Sequence, residues 1–421
     1  MLIIANTLEF NGGTTFILRF CRESFKRGNR LGVLVLMDNP EVRLLREVEQ
    51  YADVYFLSAY VNRCYRSLSK GPLIGFMPLN GSALSDIFRK HGDMVHVMGV
   101  FGLLFVSRLV KKFGRAIRTS VGIYHQNEFM FSGVDHYFAK TAQRIFASLG
   151  GQGVVFFNEM NAKSYSRFFS VDYSRSVLVP IGVELPSLDN GFLGNKNSRR
   201  IVSVGNLLDF KSYNWHVISC MPELLSIDPQ FRYEIYGEGP CEQSLREFAA
   251  NLGVSEAVEF KGRIKYSQFS VVMEDAFLFV GSGTAIIEAA ALGVPALIGI
   301  ESTKKPITYG FLCDIDGFSY NELDKNKSLI NMIDKIKGIL FDSANWECAA
   351  TGCVFKSEDF SIGRTIDGFE RQADSLPVLD IEAVGSYLNL YSLVSLVMCA
   401  VKDRMGLNTA FSRRRNQGTI A

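Results

Sequence analysis

Short runs of Val, Ile, Leu and Phe, each followed by a stretch of helical periodicity, recur along the first part of this chain and then begin again. The first series is LIIA (2–5), LGVLVLM (31–37), VYFL (54–57), MVHVM (94–98), SVGIY (120–124), VVFF (154–157) and VLVP (177–180). The second is IVSVG (201–205), YEIYG (233–237), VEF (258–260), FLFV (277–280) and PALIGI (295–300). They lack the polar alternation of a half-exposed sheet, so the sheets are expected to be buried on both faces. Alternation with helices predicts parallel strands joined by right-handed crossovers. The expected architecture is α/β, two Rossmann-like doubly wound domains with a cleft between them. In such sheets ligands gather at the carboxyl ends of the strands.

The polar stretch ELPSLDNGFLGNKNSR (184–199) separates the two series and reads as a linker. The expected domains are therefore 1–183 and 200–375, followed by C-terminal helices over 376–406 and a tail over 407–421. A length of 421 residues suits two domains rather than one. With 48% hydrophobic and 21% charged residues, a disordered chain is excluded.

The net charge of +2 is unevenly spread. Residues 1–186 carry 22 Lys+Arg against 14 Asp+Glu, and the remainder 23 against 29. The first half is thus suited to an anionic partner (phosphate, membrane or nucleic acid) or simply has solvated basic faces. No stacking or base-reading motif supports nucleic acid. The 8 cysteines are scattered without a Cys-x-x-Cys pair, so neither a zinc site nor a disulfide framework is expected. A reducing cytoplasmic setting fits that usage. The start, MLIIANTLEFNGG, has no basic n-region, so it reads as a first strand and not a signal peptide. The stretch AVGSYLNLYSLVSLVMCAV (383–401) is uncharged and approaches the ~20 residues of a membrane span. Gly385, Ser386, Asn389, Ser392 and Ser395 dilute it, and a buried or interdomain helix is the preferred reading. The end, FSRRRNQGTIA, reads as a disordered basic tail.

Four stretches carry candidate chemistry. NGGTT (11–15) lies between a strand and a helix, where Gly12 and Gly13 let backbone approach a ligand at a helix N-terminus. A plain strand-to-helix turn explains it equally well. YHQNEF (124–129) sets His125 and Glu128 at a strand's carboxyl end, suited to sugar contacts or proton transfer, with a satisfied loop histidine as the alternative. His96 in VHVMG is a weaker candidate, since an apolar strand can accommodate it. In VGNLLDFKSYN (204–214), Lys211 near a helix start can neutralise a diphosphate, although isolated surface lysines are commoner. In GSGTAIIEAAALGVP (281–295), Gly281 and Gly283 permit a tight turn before a helix. Glu288 stands one helical turn beyond Thr284, on the same face. A carboxylate there can accept from two vicinal hydroxyls, as a ribose presents; an ordinary first-turn acid is the plainer reading.

In order and spacing, IVSVGNLLDFK, FRYEIYGEGP, VEFKGRI and GTAIIEAAALGVPALIG resemble the donor-binding segments of retaining glycosyltransferases of the GT-B fold, especially glycosyltransferase family four. NGGTT, YHQNEF and VLVPIGVE resemble the corresponding first-domain segments. The resemblance implies that Lys211 binds the donor diphosphate and Glu288 the nucleotide ribose. It implies that backbone at Arg263 and Ile264 meets the base, that Gly12 and Gly13 approach phosphate and sugar, and that His125 meets the donor sugar. Two departures stand out. The family's Arg five residues before the Lys is here Asn206, and the first Glu of its acid pair falls at Val280. Ser282, Thr284 or loop N–H groups such as that of Gly283 are expected to replace the missing contacts.

The expected function is a transferase moving a sugar from an NDP-sugar (UDP- or GDP-linked) to a hydroxyl acceptor. Retention follows from the resemblance alone. Lys211 and the helix N-termini at Thr14 and Thr284 are expected to stabilise the leaving diphosphate without a metal or cofactor. If a protein base exists, Glu128 is the candidate. The segment LLFVSRLVKKFGRAIR (103–118) reads as a basic amphipathic helix. Such a helix suits an anionic inner-membrane surface and a lipid-linked acceptor, or else packs on the sheet with a solvated basic face. A bacterial envelope glycan is the expected product by family association, with a location in the cytoplasm or on the cytoplasmic face of the membrane. A non-catalytic GT-B-like partner protein and an NDP-sugar epimerase are the rivals.

Overall fold

The computed structural model describes the chain except residues 10–11, 115, 132–135, 187–190, 325, 380–389, 408–410 and 412–421, and except the side chains of residues 12 and 113. Part of the linker, part of 383–401 and nearly all of the tail therefore lie outside the described residues. The chain divides into two compact units. Unit 1 is Met1–Gly182 with Ile362–Ala421, and unit 2 is Val183–Ser361.

Unit 1 is built on β1 (Leu2–Ala5), β2 (Leu31–Val35), β3 (Ala52–Phe56), β4 (Met94–Met98), β5 (Arg118–Gly122), β6 (Val154–Phe156) and β7 (Val177–Leu178). They pair in parallel in the order β3-β2-β1-β4-β5-β6-β7. Helices α1 (Gly12–Lys26), α2 (Val42–Tyr51), α3 (Gly81–His91), α4 (Val100–Phe113), α5 (Tyr137–Ser148) and α6 (Glu159–Phe169) connect them. The sheet separates two apolar cores, as a doubly wound sheet requires. Leu2 and Ile4 point to one core and Ile3 and Ala5 to the other, the period-2 alternation of a strand buried on both faces.

Unit 2 repeats the plan with β8 (Arg200–Val204), β9 (Arg232–Tyr236), β10 (Val258–Gly262), β11 (Leu278–Gly281) and β12 (Ala296–Ile298). Their order is β10-β9-β8-β11-β12, again parallel. Its helices include α7 (Tyr213–Ile227), α8 (Glu242–Asn251), α9 (Phe269–Met273) and α10 (Thr284–Ala291). A two-stranded antiparallel ribbon follows, β13 (Ile307–Thr308) with β14 (Ile330–Asn331), then α11 (Met332–Leu340) and α12 (Ser343–Glu358). In both sheets the strand order reverses beside the first strand, between β1 and β4 and between β8 and β11. Ligand-binding crevices open at such switch points.

Three sequence boundaries change. Helix α13 (Ile362–Gln372), expected in the second domain, belongs to unit 1. Its stripe of Ile362, Ile366 and Phe369 joins the core formed by Ile3, Phe16 and Phe20, and Phe20 meets Phe369 edge-on at 5.0 Å. Arg27 donates to Asp367 at 2.7 Å beside it. The expected linker is partly structural: Leu193 N–H donates to Leu292 O and Asn195 N–H to Ala276 O, both at 2.9 Å, which ties 193–199 to unit 2. Finally, α4 ends at Phe113, where Gly114 takes the left-handed conformation, and Arg118 opens β5. The basic helix expected over 103–118 is therefore shorter, and it packs by its apolar side with Lys112 left exposed, closer to the alternative of a helix packed on the sheet. Leu103, Leu104, Phe105, Val106, Leu109 and Val110 are all buried. Arg108 is buried too, donating to Gly75 O at 2.7 Å, with its pKa pushed down to about 10 by burial. Helix α14 (Leu390–Arg404) packs on α5, and Phe138 N–H donates to Ser395 Oγ at 2.9 Å.

Candidate functional site

In unit 2 the switch point is assembled from three strand ends. After β8 the chain turns at Gly205, runs through Asn206–Phe210 and enters α7 beyond Lys211. After β9 comes the Gly-Glu-Gly-Pro turn. A Cβ at Gly237 would sit 1.9 Å from Gly205 O and one at Gly239 2.3 Å from Leu207 O, so glycine at both places lets the two turns touch. Gly237 N–H in turn donates to Gly262 O at 2.8 Å. This brings Arg263 and Ile264, just past β10, onto the same rim as Gly205; Arg263 is exposed and Ile264 half-buried. Asn206 is exposed.

Lys211 is half-buried, and among the described residues it makes no ion pair and no side-chain hydrogen bond. A Cβ placed on Gly205 would lie 3.1 Å from both Lys211 Nζ and Tyr213 Oη. The ammonium and the phenol therefore converge on the Gly205 turn, and glycine there leaves that space to them. Tyr213 is 1% exposed, yet its hydroxyl meets no partner in hydrogen-bonding geometry. Ser282 lies close to it but donates instead to Glu301 Oε1 at 2.7 Å. A buried hydroxyl without a partner costs roughly 1–3 kcal/mol, so it calls for an explanation.

Glu301 closes the apolar run of β12 and is the carboxylate nearest this cluster that the sequence reading missed. Burial pushes its carboxyl above the ordinary value, while Lys211 and the Ser282 hydroxyl pull it back. No direct ion pair joins Glu301 and Lys211 among the described residues, so Lys211 is attracted by this carboxylate but not occupied by it. The two loops are stitched together. Ser302 N–H donates to Phe210 O at 2.7 Å, Thr303 N–H to Ser212 Oγ at 3.2 Å and Glu301 N–H to Asn321 O at 2.8 Å.

Of the groups expected to replace the missing acid, two are already engaged. Ser282 is 2% exposed and spends its hydrogen on Glu301. Gly283 N–H donates to Asn321 Oδ1 at 2.9 Å, and Gly283 O accepts from Tyr320 Oη at 2.8 Å. Part of this turn is thus held by a loop distant in sequence, Tyr320–Asn321. Thr284 remains half-buried at the start of α10. Glu288 is 8% exposed, within electrostatic reach of Tyr320, whose hydroxyl burial drives far from ionisation. Val280 is fully buried in the strand, and its carbonyl accepts from Ser203 Oγ at 2.6 Å.

Unit 1 presents a second cluster at its own switch point. Val100 N–H, in the first turn of α4, donates to Glu128 Oε1 at 3.2 Å. A Cβ on Gly99 would lie 2.9 Å from both Glu128 Oε1 and Asn6 Nδ2. Glu128, 3% exposed, thus sits at a positive helix end, a placement that stabilises the carboxylate. Asn6, the residue after β1, has a buried Oδ1 without a partner. His125 Nδ1 accepts from Asn127 N–H at 3.3 Å, which assigns the neutral ring's proton to Nε2. Gly12 and Gly13 form the first turn of α1, and Thr14 Oγ1 donates to Glu9 O beside them. His96 is a core histidine: Nδ1 bonds Ser120 Oγ at 2.9 Å and Nε2 bonds Tyr124 Oη at 2.8 Å.

Tyr213, Glu301, Tyr320, Asn321 and Asn6 were missed. Asn6 and Glu301 stand at carboxyl ends of strands, the position that singled out His125. Tyr320 and Asn321 have no such signal, because their loop reaches the site only through the tertiary fold.

Residues 189–302 match the family model described as glycosyl transferases group 1. That match lies within unit 2. Among curated proteins, the UDP-N-acetylglucosamine–peptide N-acetylglucosaminyltransferase GtfA subunit of Streptococcus pneumoniae is 26% identical over 148 residues, covering 34% of this chain and 28% of that protein. A GDP-mannose-dependent monoacylated alpha-(1-6)-phosphatidylinositol monomannoside mannosyltransferase of Corynebacterium glutamicum is 24% identical over 156 residues, covering 34% of this chain and 40% of that protein. The match thus spans well under half the length of either relative.

Among solved structures, Staphylococcus aureus TarM aligns with a TM-score of 0.63 at 12% identity, over 89% of this chain and 98% of TarM. Anabaena HepE, solved with UDP and glucose, aligns with a TM-score of 0.60 at 12% identity, over 89% of this chain and 99% of HepE. Over that span the fold of the chain is the GT-B fold of these solved glycosyltransferases.

Proposed function

We propose that the protein is a retaining hexosyltransferase that moves a sugar from a UDP- or GDP-linked donor to a hydroxyl of a glycan or lipid-linked acceptor, in bacterial envelope polysaccharide synthesis. The observation that carries the reading is the unpaired, half-buried Lys211 ammonium beside the partnerless buried hydroxyl of Tyr213. A cation and a neutral donor converging on one turn suit two oxygens of a diphosphate. The match over 189–302 and the solved HepE complex with UDP and glucose support the same chemistry.

In this reading Lys211 and Tyr213 hold the diphosphate, and Glu288 accepts from the ribose hydroxyls. Backbone at Arg263 and Ile264 meets the base. The bond from anomeric carbon to phosphate oxygen breaks as the acceptor oxygen bonds the same face of that carbon, and the acceptor proton passes to the departing phosphate. Charge that develops on the phosphate is stabilised by Lys211, most strongly in the transition state. No metal or cofactor is assigned. Glu128, held by Val100 N–H, is the candidate for any protein base. Acceptor binding is assigned to the basic unit 1, which carries 29 Lys+Arg against 19 Asp+Glu, whereas unit 2 carries 16 against 24.

One observation favours a second reading, a nucleotide-binding protein without transfer: the turn that should meet the donor sugar has its Gly283 N–H and Ser282 hydroxyl engaged internally. A panel of UDP-, GDP-, ADP- and TDP-sugars, with membrane extract as acceptor, separates the readings. Acceptor-dependent NDP release supports transfer, release without acceptor supports an epimerase-like reaction, and binding without release supports the second reading. Lys211→Met and Glu288→Gln should each weaken donor binding by about tenfold or more in titration calorimetry. Unchanged affinity in both would refute the donor site.

A further inference from the structure

Helix α14 is turned the wrong way for an ordinary surface helix. The face packed into unit 1 carries Ser392, Leu396 and Cys399, all buried. The opposite face shows Leu390 (67% exposed), Val394 (51%), Val397 (41%), Met398 (53%) and Val401 (49%), and continues into Met405 (68%). At 100° per residue these side chains fall within one stripe along the helix. Lys402 borders the stripe on one edge and Arg404 on the other, while Asp403 projects away from it. Contiguous apolar patches of this extent are rare on monomeric surfaces and mark interaction sites.

Over its described residues the helix falls short of a bilayer span. Its 15 residues extend about 22 Å against a hydrocarbon thickness of ~30 Å. Among the described residues no helix is long and apolar enough to cross a membrane. An apolar stripe edged by cations is the pattern of a helix that lies in the interface plane. Unit 1, with its net charge of +10, a figure that includes Arg413, Arg414 and Arg415 close behind the helix in the sequence, supplies the attraction to an anionic surface. A second copy fits the same stripe less well, because a two-fold contact would bring like charges on these edges together.

We propose that the outward face of α14 docks this protein onto an anionic lipid surface. This replaces α4, whose apolar residues are buried, as the membrane-facing element, and it does not depend on the transfer reaction. The test is flotation of the full chain with phosphatidylcholine vesicles, with and without phosphatidylglycerol. The protein should float with the anionic vesicles, more weakly with neutral ones, and less as salt rises. Val397→Asp combined with Val401→Asp should lower the partition coefficient by about tenfold or more. Thermal unfolding should stay unchanged, since both side chains point outward. The tail arginines remain in that variant, so the loss isolates the stripe. Lys402→Gln with Arg404→Gln should abolish the preference for anionic over neutral vesicles. The proposal is overturned if wild-type protein ignores anionic vesicles, or if the double-Asp variant floats equally well. It is also overturned if wild-type protein is a dimer in sedimentation that the double-Asp variant dissociates without any vesicle binding.

Discussion

At the scale of single residues, Tyr213 separates stability from function. Its hydroxyl is buried and has no partner in the described structure, so it contributes nothing evident to folding. Tyr213→Phe should therefore leave the unfolding free energy unchanged or raise it by up to ~1 kcal/mol, while donor affinity falls. Chemical denaturation and donor titration on the same variant check both halves. A destabilised variant with normal affinity would assign the hydroxyl to the fold. The same logic shows how an acidic unit can still present a positive site. Local charge decides, and Lys211 has Glu301 near it but no carboxylate bonded to it. Lys211 and Glu288 were singled out from the sequence because strand ends and helix starts are legible there. Glu301 was not singled out, because a carboxylate ending an apolar run looks like an ordinary loop residue until Ser282 and Lys211 are brought beside it.

At the scale of elements, the strands were readable because burial on both faces leaves no room for polar residues. His96 is the exception within β4, and it is accommodated by Ser120 on β5 and by Tyr124. Burial lowers its pKa from 6.5 to about 3. The sign follows directly. Below about pH 6.5 the unfolded chain takes up a proton that native His96 refuses until about pH 3, so stability present above that window is lost as pH falls through it. The loss is roughly 1.4 kcal/mol per pH unit for this group. The stability gap between wild type and His96→Gln should thus narrow between neutral pH and pH ~4. His91 and His216 are shifted the same way by burial, but they are present in both proteins and cancel. A gap independent of pH would refute the assignment. Helix α4 was legible as a helix but not in its setting. Its cations suggested an exposed face, and only the packing reveals Arg108 held inside by the Gly75 carbonyl. Helix α14 misled in the opposite sense: uncharged residues suggested burial, yet one whole side faces outward.

At the scale of the molecule, the chain crosses from unit 1 to unit 2 and returns. Helix α13 makes that return part of the unit 1 core through Ile362, Ile366 and Phe369. A chain ending at Ser361 should therefore lose the cooperative unfolding of unit 1 and bind hydrophobic dye, while nucleotide protection of unit 2 persists. Calorimetry with and without UDP distinguishes the two transitions. Intact unfolding of unit 1 in that truncation would place the helix outside its folding unit.

By itself the sequence determined two parallel α/β sheets, their strands and order along the chain, and the candidate lysine and glutamate of the donor site. Those follow from local patterns: side-chain periodicity, glycine turns and what a strand end can present. Tertiary structure alone decided which unit owns α13, which turn groups are already satisfied, and which helix faces are covered. Each of these depends on contacts between residues far apart in the chain. Asn321 reaching Gly283, Glu301 reaching Ser282 and Phe369 reaching Phe20 have no local sequence pattern to announce them.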